Sequence, residues 1–215
     1  DPVEYQIPGI NQVQMHDAIG LNFTASLRSI LRQDPDVLLI GEIRDRETAD
    51  IAVKFSLTGH LVFSTVHAND GPSTITRLLD LGIAPFLLGS SLNLIMAQRL
   101  VRTIDKSQKE EYNPTSEEFN KINLSSNDMK NIKFYKGKPT TDNHQTGYKG
   151  RTAIHEVLEV NNEMKQLIYD GASQNKIKDL AIKNGMSSLR SAGIDKIKAG
   201  VTTIDEVLRA TVEDN

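Results

Sequence analysis

The sequence predicts an α/β protein whose parallel sheet is followed by a polar insertion and a small helical C-terminal domain. Two short apolar runs, at residues 37–40 and 61–66, are bounded by turn residues and have the composition of strands buried on both faces. Segments with helical spacing surround each run, and short connections join them. Such strand–helix alternation is typical of a parallel sheet covered by helices.

Helices are predicted around both strands. In chain order they cover residues 21–33, 48–57, 72–81 and 85–101. The first ends at Asp34-Pro35, because proline lacks a backbone donor and restricts the residue before it. The second and third end at Gly59 and Gly82. The fourth is longer, and apolar residues cover much of its surface.

The composition changes after residue 104. Residues 105–146 are polar and weakly periodic, and we predict a mobile insertion with one small apolar cluster. The candidate members of this cluster are Leu124, Met129, Ile132, Phe134 and Tyr135. A strand is predicted at 152–160, and four amphipathic helices follow it at residues 162–169, 173–183, 187–199 and 203–210. The chain therefore divides into segments 1–104, 105–146 and 147–215.

Composition excludes several classes of protein. The 215 residues carry a net charge of −3, which excludes a general polycation that coats nucleic acid. The chain has no cysteine, so disulfides, thiolate zinc sites and cysteine nucleophiles are excluded. No apolar run reaches the ~18–20 residues of a membrane span. The first residues lack a signal-peptide pattern and an initiator methionine, so we expect a cytoplasmic fragment of a longer protein.

Polar residues follow both predicted strands. Glu42 comes just after the first strand, and His67 comes at the end of the second. Parallel strands present their carboxyl ends at one edge of the sheet, where α/β proteins bind ligands. A carboxylate there can hold Mg²⁺ or polarise water, and an imidazole can donate to a phosphate oxygen. The simpler alternatives are a solvated charge and a structural histidine.

Arginines provide candidate phosphate ligands, because the planar guanidinium fork binds two oxygens at once. Arg28 and Arg32 are four residues apart and are predicted to share a helical face, whereas Arg44 and Arg77 each lie close to a polar strand end. The alternative is a set of surface ion pairs with nearby acidic residues: Asp34, Asp36, Asp45 and Glu47. A phosphate-binding loop of the form G-x-x-x-x-G-K-[ST] is absent from the sequence.

Five motifs, taken in order, resemble the secretion ATPase superfamily, and most closely its type II secretion and type IV pilus assembly ATPases. The motifs are LRSILRQDPD at 27–36, GEIRD at 41–45, TGHL at 58–61, STVHAN at 64–69 and QRLVR at 98–102. Gly193 and the segments at 200–203 and 206–209 resemble the C-terminal helices of the assembly and secretion subgroup, and differ from the pilus retraction motors.

This resemblance implies a partial RecA-like P-loop NTPase core in a hexameric motor at the cytoplasmic face of the inner membrane. Such motors bind ATP and Mg²⁺, and drive pilin or pseudopilin assembly through a membrane platform protein, without direct contact to nucleic acid. By resemblance, Glu42 is the Walker B glutamate, His67 belongs to the His box, and Asp1 and Glu4 belong to the Asp box. The four arginines named above match those expected at subunit interfaces or near phosphate.

Two further expectations concern what this chain lacks. The phosphate loop is expected upstream of residue 1, so the chain alone should not hydrolyse ATP. Many relatives carry two Cys-x-x-Cys pairs, where this chain has Asp105 with Gln108 and Thr140 with Asn143, so zinc is not expected. The alternatives are a related motor for DNA uptake or pilus retraction, and a non-catalytic interaction module.

Overall fold

The computed structural model describes residues 3–21, 23–122 and 132–211. They form two compact units. The first comprises the residues up to Ala68 with Pro72–Asn93 and Val160–Ile177, and the second comprises Asn69–Gly71, Leu94–Glu159 and the residues from Lys178 on. No helix within the described ranges has the length and apolar composition needed to cross a membrane. The predicted division at residues 104 and 146 stays a prediction of domain organisation.

Helices and strands alternate in the first half of the chain. The α-helices are α1 Phe23–Ile30, α2 Arg46–Leu57, α3 Gly71–Asp80, α4 Pro85–Ser91, α5 Ser116–Lys121, α6 Asn162–Tyr169, α7 Gln174–Lys183, α8 Leu189–Lys198 and α9 Ile204–Ala210. The β-strands are β1 Val37–Ile40, β2 Leu61–Ser64, β3 Leu94–Ile104, β4 Lys109–Tyr112, β5 Phe134–Gly137 and β6 Tyr148–Glu159.

The first unit is built on the predicted parallel pair. Strands β1 and β2 run parallel, with Val37 opposite Leu61 and Ile40 opposite Ser64. Helix α2 begins directly after the loop that follows β1, where the Asp45 side chain accepts a hydrogen bond from the Thr48 amide. Helix α4 packs against α2 and α6. The α/β fold with parallel strands is therefore confirmed.

The prediction that both faces of these strands are buried is wrong for the described structure. Leu38 and Ile40 are buried, whereas Leu39 is 75% exposed and Phe63 is 53% exposed. An apolar strand is suited to burial on both faces, but its sequence does not indicate which other residues cover each face. Here the described part of the chain covers one face only.

The predicted helix at residues 85–101 is also wrong. Helix α4 ends at Ser91, and the chain then enters strand β3, which pairs antiparallel with β6. The burial of β3 alternates, with Ile95 and Val101 buried and Met96 exposed. An apolar segment without clear polar positions is compatible with either a helix or a strand. Here the pairing with β6, which is distant in the sequence, stabilises the strand.

The described part of the polar insertion is packed in the second unit. Strands β4 and β5 form an antiparallel pair, and the rings of Phe119 and Phe134 meet edge to face at 5.7 Å. These rings join a buried cluster with residues of the C-terminal helices: Ile122, Ile197, Ile204 and Val207. This packing argues against a loosely held insertion. Leu124 and Met129, which we predicted in the apolar cluster, lie outside the described residues.

The four C-terminal helices lie where the sequence predicts them. Each of α6 to α9 begins within two residues of the predicted start. Three of the breaks hold glycines with positive φ, at Gly171, Gly185 and Gly200, which is the left-handed conformation that glycine adopts without strain. Thr203 is the N-cap of α9, and its side chain accepts from the Glu206 amide. Local signals therefore determine these helices.

Helices α8 and α9 meet at a glycine. A methyl group at Gly193 would lie 2.5 Å from a methyl carbon of Val207, which is fully buried. We expect Gly193→Ala to lower the free energy of unfolding by about 1–3 kcal/mol through overpacking, despite the better helix propensity of alanine. Thermal unfolding of the chain measures the effect. Ser191→Ala, on the exposed side of α8, is the matched control, and equal unfolding temperatures for the two variants would contradict the expectation.

Candidate functional site

The loops after β1 and β2 are held together by a backbone hydrogen bond and a side-chain hydrogen bond. The Ile43 amide donates to the Thr65 carbonyl at 2.9 Å. The Thr65 hydroxyl donates to the Gly41 carbonyl at 2.6 Å. The parallel pairing is thus extended past the ends of both strands, so Glu42 is fixed between two bonded positions and His67 leaves the sheet beside it.

Glu42 and His67 are in direct contact. Nε2 of His67 lies 2.8 Å from Oε1 of Glu42. The Glu42 side chain is 10% exposed, whereas that of His67 is 89% exposed. The imidazole nitrogen is close to Oε1, but the two groups are not aligned for a hydrogen bond. Within the described residues, the buried Oε1 atom therefore accepts no hydrogen bond. The two strand-end residues that the sequence singled out are therefore brought together at one edge of the parallel pair.

Arg44 occupies the other oxygen of the same carboxylate. Its Nε donates to Oε2 of Glu42 at 2.6 Å, and the arginine side chain is 71% exposed. The two residues are two positions apart in the same loop, and the arginine side of the pair faces solvent. The carboxylate is thus held by a cation on one side and touched by an imidazole on the other, with one oxygen still able to accept a hydrogen bond.

The other predicted site residues do not join this cluster in the described structure. Arg28 forms an exposed ion pair with Glu47 at 2.7 Å, which is the surface alternative considered above. Helix α1 gives way to a 3-10 turn at Leu31, so Arg28 and Arg32 do not share an α-helical face as predicted. Other predicted residues are exposed: Arg32, Arg77 and Glu4. Asp1 lies outside the described residues.

The cluster suits an oxygen ligand. A buried carboxylate oxygen without a hydrogen bond is a position that a water molecule, or the hydration shell of Mg²⁺, satisfies well. Carboxylate oxygens are the ligands that Mg²⁺ prefers. No group of three or more histidine, aspartate or glutamate side chains lies close enough to hold a metal by itself, as far as the described residues go. Glu42 could therefore supply one carboxylate ligand to a metal, whose remaining ligands would come from elsewhere.

At Asp105 and Asn143, where the resemblance led us to compare cysteine pairs, the second unit has a hydrogen-bonded cluster. Asp105 and Asn143 are both buried, and the Asn143 amide nitrogen donates to the Asp105 carboxylate at 3.2 Å. The hydroxyl and amide of Ser107 also donate to this carboxylate, at 2.8 and 3.0 Å. The hydrogen bonds from Ser107 lower the pKa of Asp105 below its ordinary value, so the carboxylate is the stable form.

Asn143 uses its whole amide group in this cluster. Its nitrogen donates a second hydrogen bond to the Lys138 carbonyl at 2.9 Å, and its oxygen accepts from the amides of Thr140 and Gly147 at 2.8 and 3.2 Å. A buried polar network in which every group is satisfied stabilises one arrangement. The donor set is an engaged amide and a carboxylate, and it does not fit tetrahedral zinc.

Two buried carboxylates of the second unit were missed by the sequence prediction. Glu156 and Glu206 are 3% and 1% exposed. Glu156 lies two residues from Ile154 and two from Leu158, which are both buried, so the period-two pattern of a strand places all three side chains on the same, buried face. Glu206 follows Thr203 at the spacing of a capping box. Its side chain turns instead to Arg102 and Arg209. Arg209 lies three residues after Glu206 in the same helix, a spacing that favours an ion pair, whereas no sequence signal identifies Arg102.

Comparison with known proteins gives one family. The sequence model of the family described as "Type II/IV secretion system protein" matches residues 1–209. The type IV pilus assembly ATPase PilB of Myxococcus xanthus (strain DK1622) is 49% identical over 215 residues, covering 100% of this chain and 38% of that protein. Type II secretion system protein E of Xanthomonas campestris pv. campestris is 47% identical over 211 residues, covering 98% of this chain and 37% of that protein.

A solved structure has the same architecture. It is the crystal structure of the pilus retraction motor PilT with bound ADP, at a TM-score of 0.62 and 25% sequence identity. The match covers 89% of this chain and 44% of that one. The chain therefore spans less than half the length of the proteins that it matches.

Proposed function

Because the chain belongs to the type II/IV secretion system protein family, we propose that it is part of a motor ATPase that powers type IV pilus assembly or type II protein secretion. The observation that carries this proposal is the contact between Glu42 and His67 at the shared edge of two parallel strands. Ligands of open α/β sheets bind at that edge. ATP and Mg²⁺ are the ligands that we propose, and neither zinc nor nucleic acid is part of the proposal.

Glu42 is the proposed catalytic carboxylate. In phosphoryl transfer the protein contributes chiefly positioning and electrostatic stabilisation. Oε2 of Glu42 is held by Arg44, so the carboxylate cannot rotate freely, and Oε1 is left to accept a hydrogen bond from the attacking water or from water bound to Mg²⁺. Bound MgATP supplies the γ-phosphate and the metal charge. We also propose that Glu4 assists this carboxylate in the intact protein.

His67 is the proposed γ-phosphate sensor. Its imidazole is exposed on every side except where it meets Glu42, so it is free to swing toward a phosphate oxygen. Such a movement would release Oε1 of Glu42 for water. Arg28, Arg32, Arg44 and Arg77 are proposed to bind phosphate or to reach a neighbouring subunit, where a guanidinium stabilises developing charge. Asp1 is proposed beside the nucleotide.

The proposed assembly is a homo-hexamer at the cytoplasmic face of the inner membrane, associated with it through a membrane platform protein. An exposed sensor and exposed arginines are more useful at a subunit boundary than in a monomer, because the neighbour then completes the site. Pilus retraction is the second candidate, favoured by the structural likeness to PilT. The identities of 49% and 47% to assembly and secretion proteins favour the first.

We expect the intact protein to hydrolyse ATP in the presence of Mg²⁺ and the 215-residue chain alone to show negligible activity. The reason is that no phosphate-binding loop is encoded in this sequence, so the triphosphate lacks its main backbone ligands. Phosphate release measured on both proteins tests the expectation, and calorimetry with MgATP gives the affinity of the chain. An inactive intact protein would refute the proposed function. Micromolar MgATP affinity of the chain would refute its predicted inactivity.

A further inference from the structure

Glu156 is a buried carboxylate in the middle of strand β6. It is 3% exposed, and its neighbours on the same face of the strand, Ile154 and Leu158, are apolar. A charge in such surroundings is costly unless hydrogen bonds satisfy it. We therefore expect hydrogen-bond donors around the Glu156 carboxylate.

Its two oxygens accept from the first amides of two helices. Oε1 accepts from the Gly71 amide at 2.7 Å, where α3 begins, and Oε2 accepts from the Leu189 amide at 3.2 Å, where α8 begins. Free amides and the helix dipole both favour a negative charge at a helix N-terminus. One carboxylate thus joins the start of α3 to the start of α8.

The absence of a side chain at Gly71 allows the carboxylate of Glu156 to approach closely. A methyl group at Gly71 would lie 3.1 Å from Oε1 of Glu156 and 3.3 Å from Cβ of Leu158, so a side chain there would push the carboxylate away. A second contact holds the same stretch of backbone, because Nη2 of Arg99 on β3 donates to the Asn69 carbonyl at 3.1 Å. The residues Asn69–Gly71 are called here the switch loop. Its first residue is hydrogen-bonded to Arg99 on β3, and its last residue is hydrogen-bonded to Glu156 on β6.

The switch loop follows His67 after a single residue, Ala68. We propose that Glu156 and Arg99 are positioning residues, which hold the switch loop so that His67 stays within reach of Glu42. This inference rests on the proposed function, since it takes Glu42 as the catalytic carboxylate and His67 as the γ-phosphate sensor beside it. It adds that the backbone directly after Ala68 is held by Glu156 and Arg99, and that the Leu189 amide shares the carboxylate of Glu156.

The chemistry of glutamine makes a sharp test. A carboxylate offers an acceptor to each of the two amides, whereas Glu156→Gln offers one acceptor and turns an NH₂ group toward the other amide. We expect peptides that span residues 66–72 of the intact protein to exchange amide hydrogen about five- to tenfold faster in this variant. We expect kcat to fall about 10- to 100-fold with the KM for ATP nearly unchanged, because misplacing a catalytic group slows the chemistry more than the binding.

Glu159→Gln is the matched control, because Glu159 lies three residues on in the same strand and is exposed. Arg99→Ala is the second variant, for use if Glu156→Gln does not fold, with the exposed Arg151→Ala as its control. The result that supports the proposal is faster exchange at 66–72 with lower kcat in Glu156→Gln or Arg99→Ala, and neither effect in the controls.

Two results would overturn it. Unchanged exchange at 66–72 in both variants would show that the switch loop is not held by these residues, and faster exchange with unchanged kcat would show that holding it does not matter for the reaction. The proposed function fails separately, if the wild-type intact protein has no ATPase activity. The exchange measurement needs no activity, so it would still decide whether Glu156 and Arg99 hold the loop.

Discussion

Glu42→Gln in the intact protein is expected to lower ATP turnover by about 100-fold or more while leaving nucleotide binding within a few-fold of wild type. The substitution keeps the shape of the side chain but removes the charge that Arg44 holds and the basic oxygen that faces His67. In the proposed function ATP is bound mainly by the phosphate loop and the arginines, so we expect binding to persist. Steady-state phosphate release and the binding of a fluorescent ATP analogue measure the two quantities.

Glu163→Gln is the matched control for this experiment. Glu163 lies in the first turn of α6 and is exposed, so the same chemical change there should leave turnover unaltered. Equal unfolding temperatures for both variants and wild type would show that the fold is intact. Wild-type turnover in Glu42→Gln would exclude the catalytic role that we assign to this carboxylate.

Glu206→Ala is expected to cause the largest loss of stability, about 2–4 kcal/mol, because it removes the hydrogen bonds that one buried carboxylate accepts from two arginines. The two guanidinium groups left behind are 43% and 60% exposed, so water solvates them and limits the loss. Oε1 of Glu206 accepts from Arg102 Nη2 at 2.6 Å and from Arg209 Nε at 3.1 Å. Oε2 accepts from the Arg102 amide at 2.8 Å and from Arg209 Nη2 at 3.0 Å. Chemical denaturation of the chain measures the loss. Glu110→Gln removes an exposed pair with Lys136 and should cost less than about 1 kcal/mol.

The same carboxylate makes stability depend on pH. Burial alone raises the pKa of Glu206, but the hydrogen bonds from Arg102 and Arg209 outweigh burial and hold the pKa at about 2, below the ordinary value of 4.5. A depressed pKa contributes stability above the ordinary pKa, and that contribution is lost as pH falls through the folded value. Wild-type stability should therefore decrease between pH 4.5 and 2, more steeply than that of Glu206→Ala. Parallel pH profiles, or equal losses in Glu206→Ala and Glu110→Gln, would contradict this account.

Local sequence signals were sufficient for the elements whose ends carry caps or glycines. The C-terminal helices and the parallel strands were predicted close to their observed bounds, since Thr203, Gly185 and similar residues fix helix ends locally. Strand β3 was missed because its pairing with β6 depends on residues 44 to 65 positions away, as the register of Ile104 with Tyr148 and of Leu94 with Glu159 shows. The resemblance drawn from five motifs is confirmed by the family match.

The candidate site was predictable where topology alone decides it. Two parallel neighbours must present their ends together, so Glu42 and His67 were expected to meet. The pairing of Arg28 with Glu47 depended on side-chain rotamers that the sequence does not specify. The partners of Glu156 and the Arg102 partner of Glu206 were hidden for the same reason as β3, because they come from elements distant in the chain.

The buried contact between Asp105 and Asn143 is a hydrogen bond at positions where zinc-binding cysteines were considered. Thiolate-bound zinc is lost to chelators and to oxidants that attack sulfur. An amide and a carboxylate joined by hydrogen bonds have nothing to oxidise and no ion to surrender, and the chain contains no cysteine at all. We therefore expect this contact to be unaffected by chelators and by oxidants that attack sulfur.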